Sequence, residues 1–341
     1  MRNLTVLVLG LGVPAFLAGQ GGPRLEVQSS GTTARLQAVS VVNDRVVWAS
    51  GVRGTVVRTT DGGATWAVRA VPGADSLEFR DIHAFDADHA VVLAAGPGDR
   101  SRVYRTDNGG ASWLLTYTNR IPEAFFDCFD FHGQIGIAFS DAVGDTFPLI
   151  RTADGGRTWA AYTPPGGMIR PLAGEGAFAA SGTCLVMRSD LSAWVGTAVG
   201  GRVLRFGVDQ SRAVGTPIFN AAPASGIATL AFAGDLLGMA AGGDLGAPDA
   251  YLDNVVVTID GGRSWALAGR PAFPGAVYGL AYVPLHPKTV VAVGPKGAAW
   301  TEDHGGTWLL LDGGNYWGIG FSPTGIGWLT GPSGRIVKIV F

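Results

Sequence analysis

The sequence predicts an all-β fold, a seven-bladed β-propeller built from four-stranded antiparallel blades. Two observations lead to this prediction: an eight-residue pattern recurs along the chain, and short alternating strands surround each copy. A third is composition, because 53 glycines among 341 residues indicate many turns rather than many helices. Repeats of about 40–50 residues that each carry four short strands are typical of propeller blades.

The recurring pattern is Thr-x-Asp/Asn-x-Gly-x-Ser/Thr-Trp, and each copy is called a box below. The pattern predicts a hairpin turn, because the Asx side chain accepts backbone N–H bonds and glycine adopts positive φ. We therefore interpret the box residues as structural, and we expect each tryptophan to be buried beside its own turn. The Asx and Trp members of the five boxes are Asp61 and Trp66, Asn108 and Trp113, Asp154 and Trp159, Asp260 and Trp265, and Asp303 and Trp308.

A sixth, decayed box is predicted from the spacing of the tryptophans. Their intervals are 47, 46, 106 and 43 residues, so the long interval should contain one more copy. Gly207–Val214 fills it, with Asp209 at the position of the box aspartate and Val214 in place of tryptophan.

The first unit shows the four strands expected of each blade, at Leu36–Val42, Val46–Ser50, Thr55–Thr59 and Trp66–Val71. The same order recurs in later units. Its second and third strands are predicted at Ala90–Ala95 with Val103–Thr106, Ile135–Ser140 with Leu149–Thr152, and Ala193–Thr197 with Val203–Phe206.

The C-terminal unit is incomplete, with strands predicted at Tyr316–Ser322, Gly327–Thr330 and Arg335–Val340. Its missing fourth strand is assigned to Arg24–Ser30, because closing the ring in this way leaves no open sheet edge at the seam. Residues 20–341 divide into seven units of 46 residues, which fits seven blades.

Residues 1–20 are predicted to be a secretory signal peptide, and residues 21–341 a single propeller domain. Arg2 supplies a short positive region, and Leu4–Leu17 form an apolar stretch. This stretch is shorter than the ~20 residues that a membrane span needs, and no later segment is a candidate. We expect an exported protein, periplasmic or extracellular, without a membrane span after signal removal.

The cysteine content bears on the cellular compartment, and the net charge bears on nucleic-acid binding. Cys128 and Cys184 fit one disulfide or two buried thiols in an exported protein, and two buried thiols is the interpretation taken from the sequence. The formal net charge of −2 provides no basic field, so nucleic-acid binding is not expected.

The boxes resemble the Asp-boxes, also called BNR repeats, of sialidases and other propellers. The chain after the signal peptide resembles the single-propeller group related to the photosystem II stability and assembly factor. Leu77–Asp81 and Gly174–Thr183 are also similar to that group. The resemblance implies a binding or assembly module, whereas the boxes alone specify architecture and leave function open.

A binding face is predicted on the rim opposite the boxes. If each box joins the third strand of a blade to the fourth, the other connections gather on the opposite rim. Aromatic and arginine side chains around a concave centre suit a protein or a small ligand. For any single residue, ordinary loop polarity or capping of a blade core is the alternative. The predicted face comprises Arg80, Asp81, Phe126, Asp127, Asp141, Glu175, Phe178, Asp244, Tyr278 and Trp317.

The main alternative to a non-catalytic module is a sialidase-like glycoside hydrolase or a glycan-binding lectin. The resemblance to sialidases would require an arginine trio, a Tyr–Glu pair and an acidic Asp. Tyr278 and Glu175 are candidates for the pair, but no arginine trio is identifiable on the rim. Arg120–Pro122 matches the Arg-Ile-Pro motif, yet follows the second box instead of preceding the first. No catalytic residue is therefore predicted.

No cofactor or metal is predicted either. No Gly-x-Gly opens a βαβ unit, so a dinucleotide-dependent oxidoreductase is unsupported. The five histidines lack metal-ligand spacing. Asp244, Asp249 and Asp253 share a loop, but their spacing does not match a calcium-binding EF-hand. We expect a monomer with a protein partner, a glycan being the alternative.

Overall fold

The computed structural model describes residues 22–341, so the predicted signal peptide lies outside the described residues. The described chain forms 28 strands in seven four-stranded antiparallel sheets, together with one 3-10 turn at Gly98–Arg100. The predicted seven-bladed propeller is confirmed.

The strands are numbered β1 to β28 along the chain, and each blade is given from its inner to its outer strand. Blade 1 comprises β2 (Leu36–Val41), β3 (Val47–Gly51), β4 (Val56–Thr59) and β5 (Ala67–Val68). Blade 2 comprises β6 (Phe79–Ala84), β7 (Ala90–Ala94), β8 (Arg102–Thr106) and β9 (Leu114–Thr118). Blade 3 comprises β10 (Phe126–His132), β11 (Ile135–Ser140), β12 (Leu149–Thr152) and β13 (Ala160–Ala161). Blade 4 comprises β14 (Leu185–Met187), β15 (Ala193–Gly196), β16 (Arg202–Phe206) and β17 (Arg212–Gly215).

The remaining blades follow the same order. Blade 5 comprises β18 (Ser225–Ala233), β19 (Leu237–Asp244), β20 (Val255–Thr258) and β21 (Ala266–Leu267). Blade 6 comprises β22 (Gly279–Tyr282), β23 (Val290–Gly294), β24 (Gly297–Thr301) and β25 (Leu309–Asp312). Blade 7 comprises β26 (Gly318–Phe321), β27 (Ile326–Thr330), β28 (Arg335–Val340) and the N-terminal strand β1 (Arg24–Ser29).

The outer strand of blade 1 is shorter than predicted. In blade 1 the regular ladder ends at Val68, where the sequence predicted a strand to Val71. Backbone bonds continue irregularly, from Arg69 N to Val56 O at 2.7 Å and from Val71 N to Gly54 O at 3.0 Å. An outer strand is hydrogen-bonded to a neighbour on one side only, so no second strand stabilises a regular ladder along its whole length.

Strand β1 closes the ring as predicted, pairing antiparallel with β28 from Arg24 opposite Val340 to Ser29 opposite Arg335. Its Gln28 side chain also joins blade 7 to blade 1. The Oε1 atom accepts from the indole nitrogens of Trp66 and Trp328, each at 3.1 Å, and Nε2 donates to Gly62 O at 3.2 Å. The seam is therefore held by side chains as well as by the strand ladder.

The hydrophobic core is divided among the blade interfaces. Seven clusters of buried apolar residues are found, and each combines residues of two adjacent blades. The cluster between blades 7 and 1, for example, joins Trp328 and Ile336 to Leu36 and Val47. Ring closure is thus coupled to burial, because an open ring would expose one of these clusters.

The box tryptophans are less uniformly buried than predicted, and they also pack against the preceding blade. Trp265 and Trp308 are buried, while the other three are half-buried. Each also belongs to the apolar cluster that its blade shares with the preceding blade. Trp113 of blade 2, for example, donates to Arg69 O at 3.0 Å and meets Trp48 of blade 1 edge-on at 6.4 Å. The tryptophans therefore join neighbouring blades.

The box aspartates close their turns by hydrogen bonds. Asp61 Oδ1 accepts from Thr65 N at 2.9 Å and from Thr59 Oγ1 at 2.7 Å, while Oδ2 accepts from Thr65 Oγ1 at 2.6 Å. In the decayed copy Asp209 occupies the expected connection between β16 and β17. Its Oδ1 accepts from Arg205 Nη1 at 2.9 Å. The aspartate thus keeps its place in the turn but has different hydrogen-bond donors from Asp61.

Stability should fall as the box aspartates are protonated. Hydrogen bonds from Thr65 hold the pKa of Asp61 at about 2, and those from Thr307 hold the pKa of Asp303 at about 2. A carboxyl whose folded pKa is depressed stabilises the fold above its unfolded pKa, and this contribution is lost as the pH falls towards the folded value. We expect the melting temperature to drop between pH about 4 and about 2.

The matched variant for this prediction is Asp61→Asn, because the second box carries Asn108 at the same place. Asn108 Oδ1 still accepts from Ser112 N at 2.9 Å, and its Nδ2 donates to Ser112 Oγ at 2.8 Å. Thermal melts from pH 6 to pH 2 should show a shallower drop for the variant. An unchanged pH dependence of the melting temperature would show that Asp61 does not contribute to the loss of stability at low pH.

Cys128 and Cys184 are joined in a disulfide with their Cα atoms 6.1 Å apart, so the interpretation as two thiols is wrong. Cys128 lies on β10, and Cys184 immediately precedes β14. The two inner strands are neighbours in the ring, and the register between them brings the two side chains together. That register is a property of the assembled blades and has no signature in the sequence.

Candidate functional site

The inner strands of several blades carry a β-bulge at the same place. The ladder register shifts by one residue at Gln37 on β2, Arg80 on β6, Asp127 on β10 and Ala228 on β18. A bulge re-aims the extra side chain, and these strands surround the central channel. In blades 6 and 7 the residues at the equivalent position, directly before the inner strand, are Tyr278 and Trp317.

A segment of the long connection between β13 and β14 covers the channel at this level, and it is called the crossing segment (residues 177–183). Ala179 O accepts from Arg80 Nη1 of blade 2 at 3.0 Å. Ser181 Oγ donates to Tyr278 O of blade 6 at 2.6 Å. Both residues are buried. Contacts with blades on different sides of the axis require the segment to run across the channel.

Around this segment a chain of side-chain contacts forms the mouth ring. Tyr278 meets Trp317 edge-on at 5.0 Å, and the Arg35 guanidinium lies 4.5 Å from the Trp317 ring centre. Arg35 pairs with Glu78 at 3.5 Å, and Glu78 pairs with Arg80 at 2.7 Å. The bonds from Arg80 and Tyr278 to the crossing segment close the circuit. We define the candidate face as the mouth ring together with half-buried Phe178.

Two members of the mouth ring, Arg35 and Glu78, were missed in the sequence-based prediction. Each stands two residues before the bulge of its inner strand, Arg35 before Gln37 and Glu78 before Arg80. Aligning the starts of the inner strands would have found both.

Asp81, assigned to the binding face from the sequence, lies inside the propeller. It is 5% exposed, and its carboxylate accepts from Ile82 N and from Phe129 N of the next blade, each at 2.8 Å. Burial raises the pKa of Asp81 well above its usual range. Thr229 plays the same part in blade 5, accepting from Leu280 N of blade 6 at 3.1 Å. Asp81 therefore links blades.

Asp127 and Asp141 form a carboxyl pair beside the crossing segment. Asp127 is 1% exposed, and burial, followed by the negative charge of Asp141, raises its pKa well above the usual range. Burial also raises the pKa of Asp141. Asp141 Oδ1 further accepts from Ala177 N at 3.0 Å.

Glu175 is also occupied within the fold, with its side chain fully buried. It forms a two-point ion pair with Arg202, accepting from Nε at 2.8 Å and from Nη2. It also accepts from Thr197 Oγ1 at 2.9 Å and Leu172 N at 2.8 Å. This network ties the long connection between β13 and β14 to blade 4. Among the described residues, none of these hydrogen bonds joins Glu175 to Tyr278, its predicted partner in a Tyr–Glu pair.

The remaining predicted residues occupy different places. Phe126 is 1% exposed and packs in the core between blades 2 and 3, against Tyr117 at 5.9 Å, so a partner cannot reach it as a surface anchor. Asp244 ends β19 and accepts from Gly246 N at 2.8 Å. It lines a small cleft that Tyr278 also borders. The structure thus brings Arg80, Tyr278 and Trp317 together at the surface.

Within residues 22–341, no group of three or more His, Cys, Asp or Glu side chains is arranged to hold a metal ion. Over the same range, no helix has the length and apolar character needed to cross a membrane.

Comparison with known proteins yields structural neighbours only. No family model matches the sequence, and no curated protein matches it. A solved structure of YCF48 bound to D1 peptide superposes with a TM-score of 0.64 at 18% identity, covering 95% of this chain and 98% of that one. YCF48 from Cyanidioschyzon merolae gives 0.63 at 17% identity, covering 92% and 98%. The WD40 β-propeller domain of Doa1 gives 0.62 at 13% identity, covering 94% and 97%. At these identities the likeness shows the fold.

Proposed function

We propose that this chain is an exported, non-catalytic binding or assembly propeller that recognises a protein partner through the candidate face, opposite the Asp-boxes. The observation that carries the proposal is the mouth ring. It presents aromatic and arginine side chains, the types enriched at binding hot spots, over a channel already covered by the crossing segment.

The state of the acidic residues supports binding over hydrolysis. Glycoside hydrolysis uses two carboxyl groups that reach the substrate from either side of the scissile bond. Asp81, Asp127 and Glu175 are each at most 5% exposed, and the carboxylates of Asp81 and Glu175 hydrogen-bond within the fold. The Tyr–Glu pair needed for the sialidase-like alternative would have to form between Tyr278 and Glu175, whose carboxylate is bound to Arg202.

The structural neighbours support a protein partner. One of them, YCF48, was solved bound to a D1 peptide, and it shares this fold over 95% of the present chain. We extend to this chain only the class of ligand, a polypeptide. The disulfide between Cys128 and Cys184 supports the exported location, because disulfides persist in oxidising compartments.

The substitution Trp317→Ala tests the proposal. Wild-type and variant protein would be used to capture partners from the native envelope fraction, and the affinity of the captured partner would then be measured. We expect a loss of about 2 kcal/mol in binding free energy, as for an aromatic hot spot. Melting temperature should change little, because Trp317 is half-buried at the channel mouth.

The matched control is Ile259→Ala on the box side, where the side chain is 72% exposed. It should bind the partner as the wild type does. Equal binding by both variants would exclude the candidate face. Turnover of sialoside or β-glucan substrates that disappears in Asp141→Asn would favour the hydrolase instead.

A further inference from the structure

The outer strand of blade 2, β9 (Leu114–Thr118), is an unprotected sheet edge. Folded proteins protect such edges by keeping them very short or by placing charged residues on them. Of the six other outer strands in the described chain, β5, β13 and β21 have two residues each, and β1, β17 and β25 each contain a charged residue. Strand β9 has five residues, Leu-Leu-Thr-Tyr-Thr, and carries no charge.

Both the side chains and the backbone of β9 are open at this edge. Leu114 and Leu115 are 66% and 45% exposed. Apart from the ladder with β8, no backbone N–H or C=O of Leu114–Thr118 forms a hydrogen bond within residues 22–341. The outward groups of an edge strand can pair with an added strand, which is the binding mode called β-augmentation. The ladder with β8 contains a bulge at Thr116 that twists the strand, so an added segment would be short.

A groove of about 520 Å³ runs beside this edge. It is lined by residues 115–118 of β9, by Arg120 and Ile121, and by Ala161 of blade 3. Arg120 and Ile121 are exposed, and they begin the Arg-Ile-Pro motif. At Arg120 the groove meets a second one of about 350 Å³, formed by the connections between β7 and β8 and between β9 and β10. A segment paired with β9 would therefore have room for its side chains.

The charge of the groove is set by Arg120. This arginine takes part in no ion pair within residues 22–341, and Asp99, which lines the second groove, is paired with Arg102 at 3.4 Å. Glu123 is exposed nearby but lines neither groove. The complementary ligand therefore carries a carboxylate. Residues 108–119 contain no acidic side chain, so a second copy of β9 would not supply one.

We propose that the edge of β9 is a second binding site, which takes an extended polypeptide segment of another protein as an additional strand of blade 2. The segment carries a carboxylate that pairs with Arg120 and apolar side chains that cover Leu115 and Ile121. No residue of the mouth ring lines either groove, so this site is separate from the candidate face and does not depend on the proposed function.

A phage-displayed library of random heptapeptides, panned on the intact chain, tests the site. The selected peptides would be synthesised and their affinities measured by isothermal titration calorimetry. We expect them to combine Asp or Glu with apolar and β-branched residues. Amide hydrogen exchange of β9 should slow when they are bound, because its outward N–H groups become hydrogen-bonded. If no peptide is enriched, or if every selected peptide leaves the exchange of β9 unchanged, the proposal is wrong.

Two charge variants and a matched control locate the contact. Arg120→Glu should weaken the binding of the selected peptides by about tenfold or more, because it places a carboxylate opposite theirs, and Leu115→Lys should weaken it as well. Leu310→Lys should bind as the wild type does. Leu310 is 58% exposed and follows the box tryptophan of blade 6 at the same distance as Leu115 does in blade 2.

All three substitutions are at exposed positions, so the melting temperature should stay close to that of the wild type. Equal affinity of the selected peptides for Arg120→Glu and the wild type would overturn the proposal. A dimer of the chain that dissociates in Leu115→Lys would also overturn it, because the occupant of the edge would then be a second copy.

Discussion

Removal of the closing strand Arg24–Ser29 is expected to have the largest effect of any change to this protein. The deletion abolishes the ladder with β28, and with it the Gln28 bonds to Trp66 and Trp328. It also uncovers the edge of blade 7 next to the cluster shared with blade 1. Domains of this kind are stabilised by only about 5–15 kcal/mol in total, so cooperative unfolding should be lost or shifted to much lower temperature.

Differential scanning calorimetry of the truncated and intact chains measures this effect. The matched control is Val27→Ser in the same strand, because Val27 is 81% exposed and its replacement should change stability by less than about 0.5 kcal/mol. A truncated protein that melts at the temperature of the intact one would show that β1 does not close the ring.

Replacement of a buried box tryptophan should have the next largest effect. Trp308 is 8% exposed and packs in the cluster between blades 5 and 6, near Met239. Trp308→Ala should lower the free energy of unfolding by about 3–5 kcal/mol, the usual cost of truncating a large buried aromatic side chain. Chemical denaturation followed by tryptophan fluorescence and circular dichroism gives this value.

Leu309→Ala provides the control, because Leu309 is the next residue and is 52% exposed. Its effect should be small. Asp303→Ala should cost less than Trp308→Ala, because Asp303 closes an exposed turn whereas Trp308 fills an interface. A loss below about 0.5 kcal/mol for Trp308→Ala would contradict the packing of the box tryptophans between blades.

Much of the fold could be read from local patterns. The third strand of a blade runs directly into a box, so predicted Thr55–Thr59 and observed Val56–Thr59 differ by one residue. The fourth strand was overestimated, as in blade 1, because its outer edge has no neighbour to keep it regular. Strand-forming composition does not reveal whether a partner strand is present.

The candidate site was less predictable than the fold. Connectivity placed the right loops on one rim, and it identified Arg80, Tyr278 and Trp317, which meet in or beside the mouth ring. It did not distinguish these from Phe126, whose neighbouring position on the bulged strand points into the core. A one-residue shift in register reverses the side to which a side chain points, and a bulge makes that shift locally.

The sequence by itself determined the seven repeated units, their four strands and the use of an N-terminal strand to close the ring. These features follow from periodic signals that lie within each unit and from the count of strands at the two ends. Only the tertiary structure decided that Cys128 bonds to Cys184, that the box tryptophans pack on the preceding blade, and that residues 177–183 cross the channel. Each of these depends on the register between blades or on the path of a long connection, and neither is encoded in a local pattern.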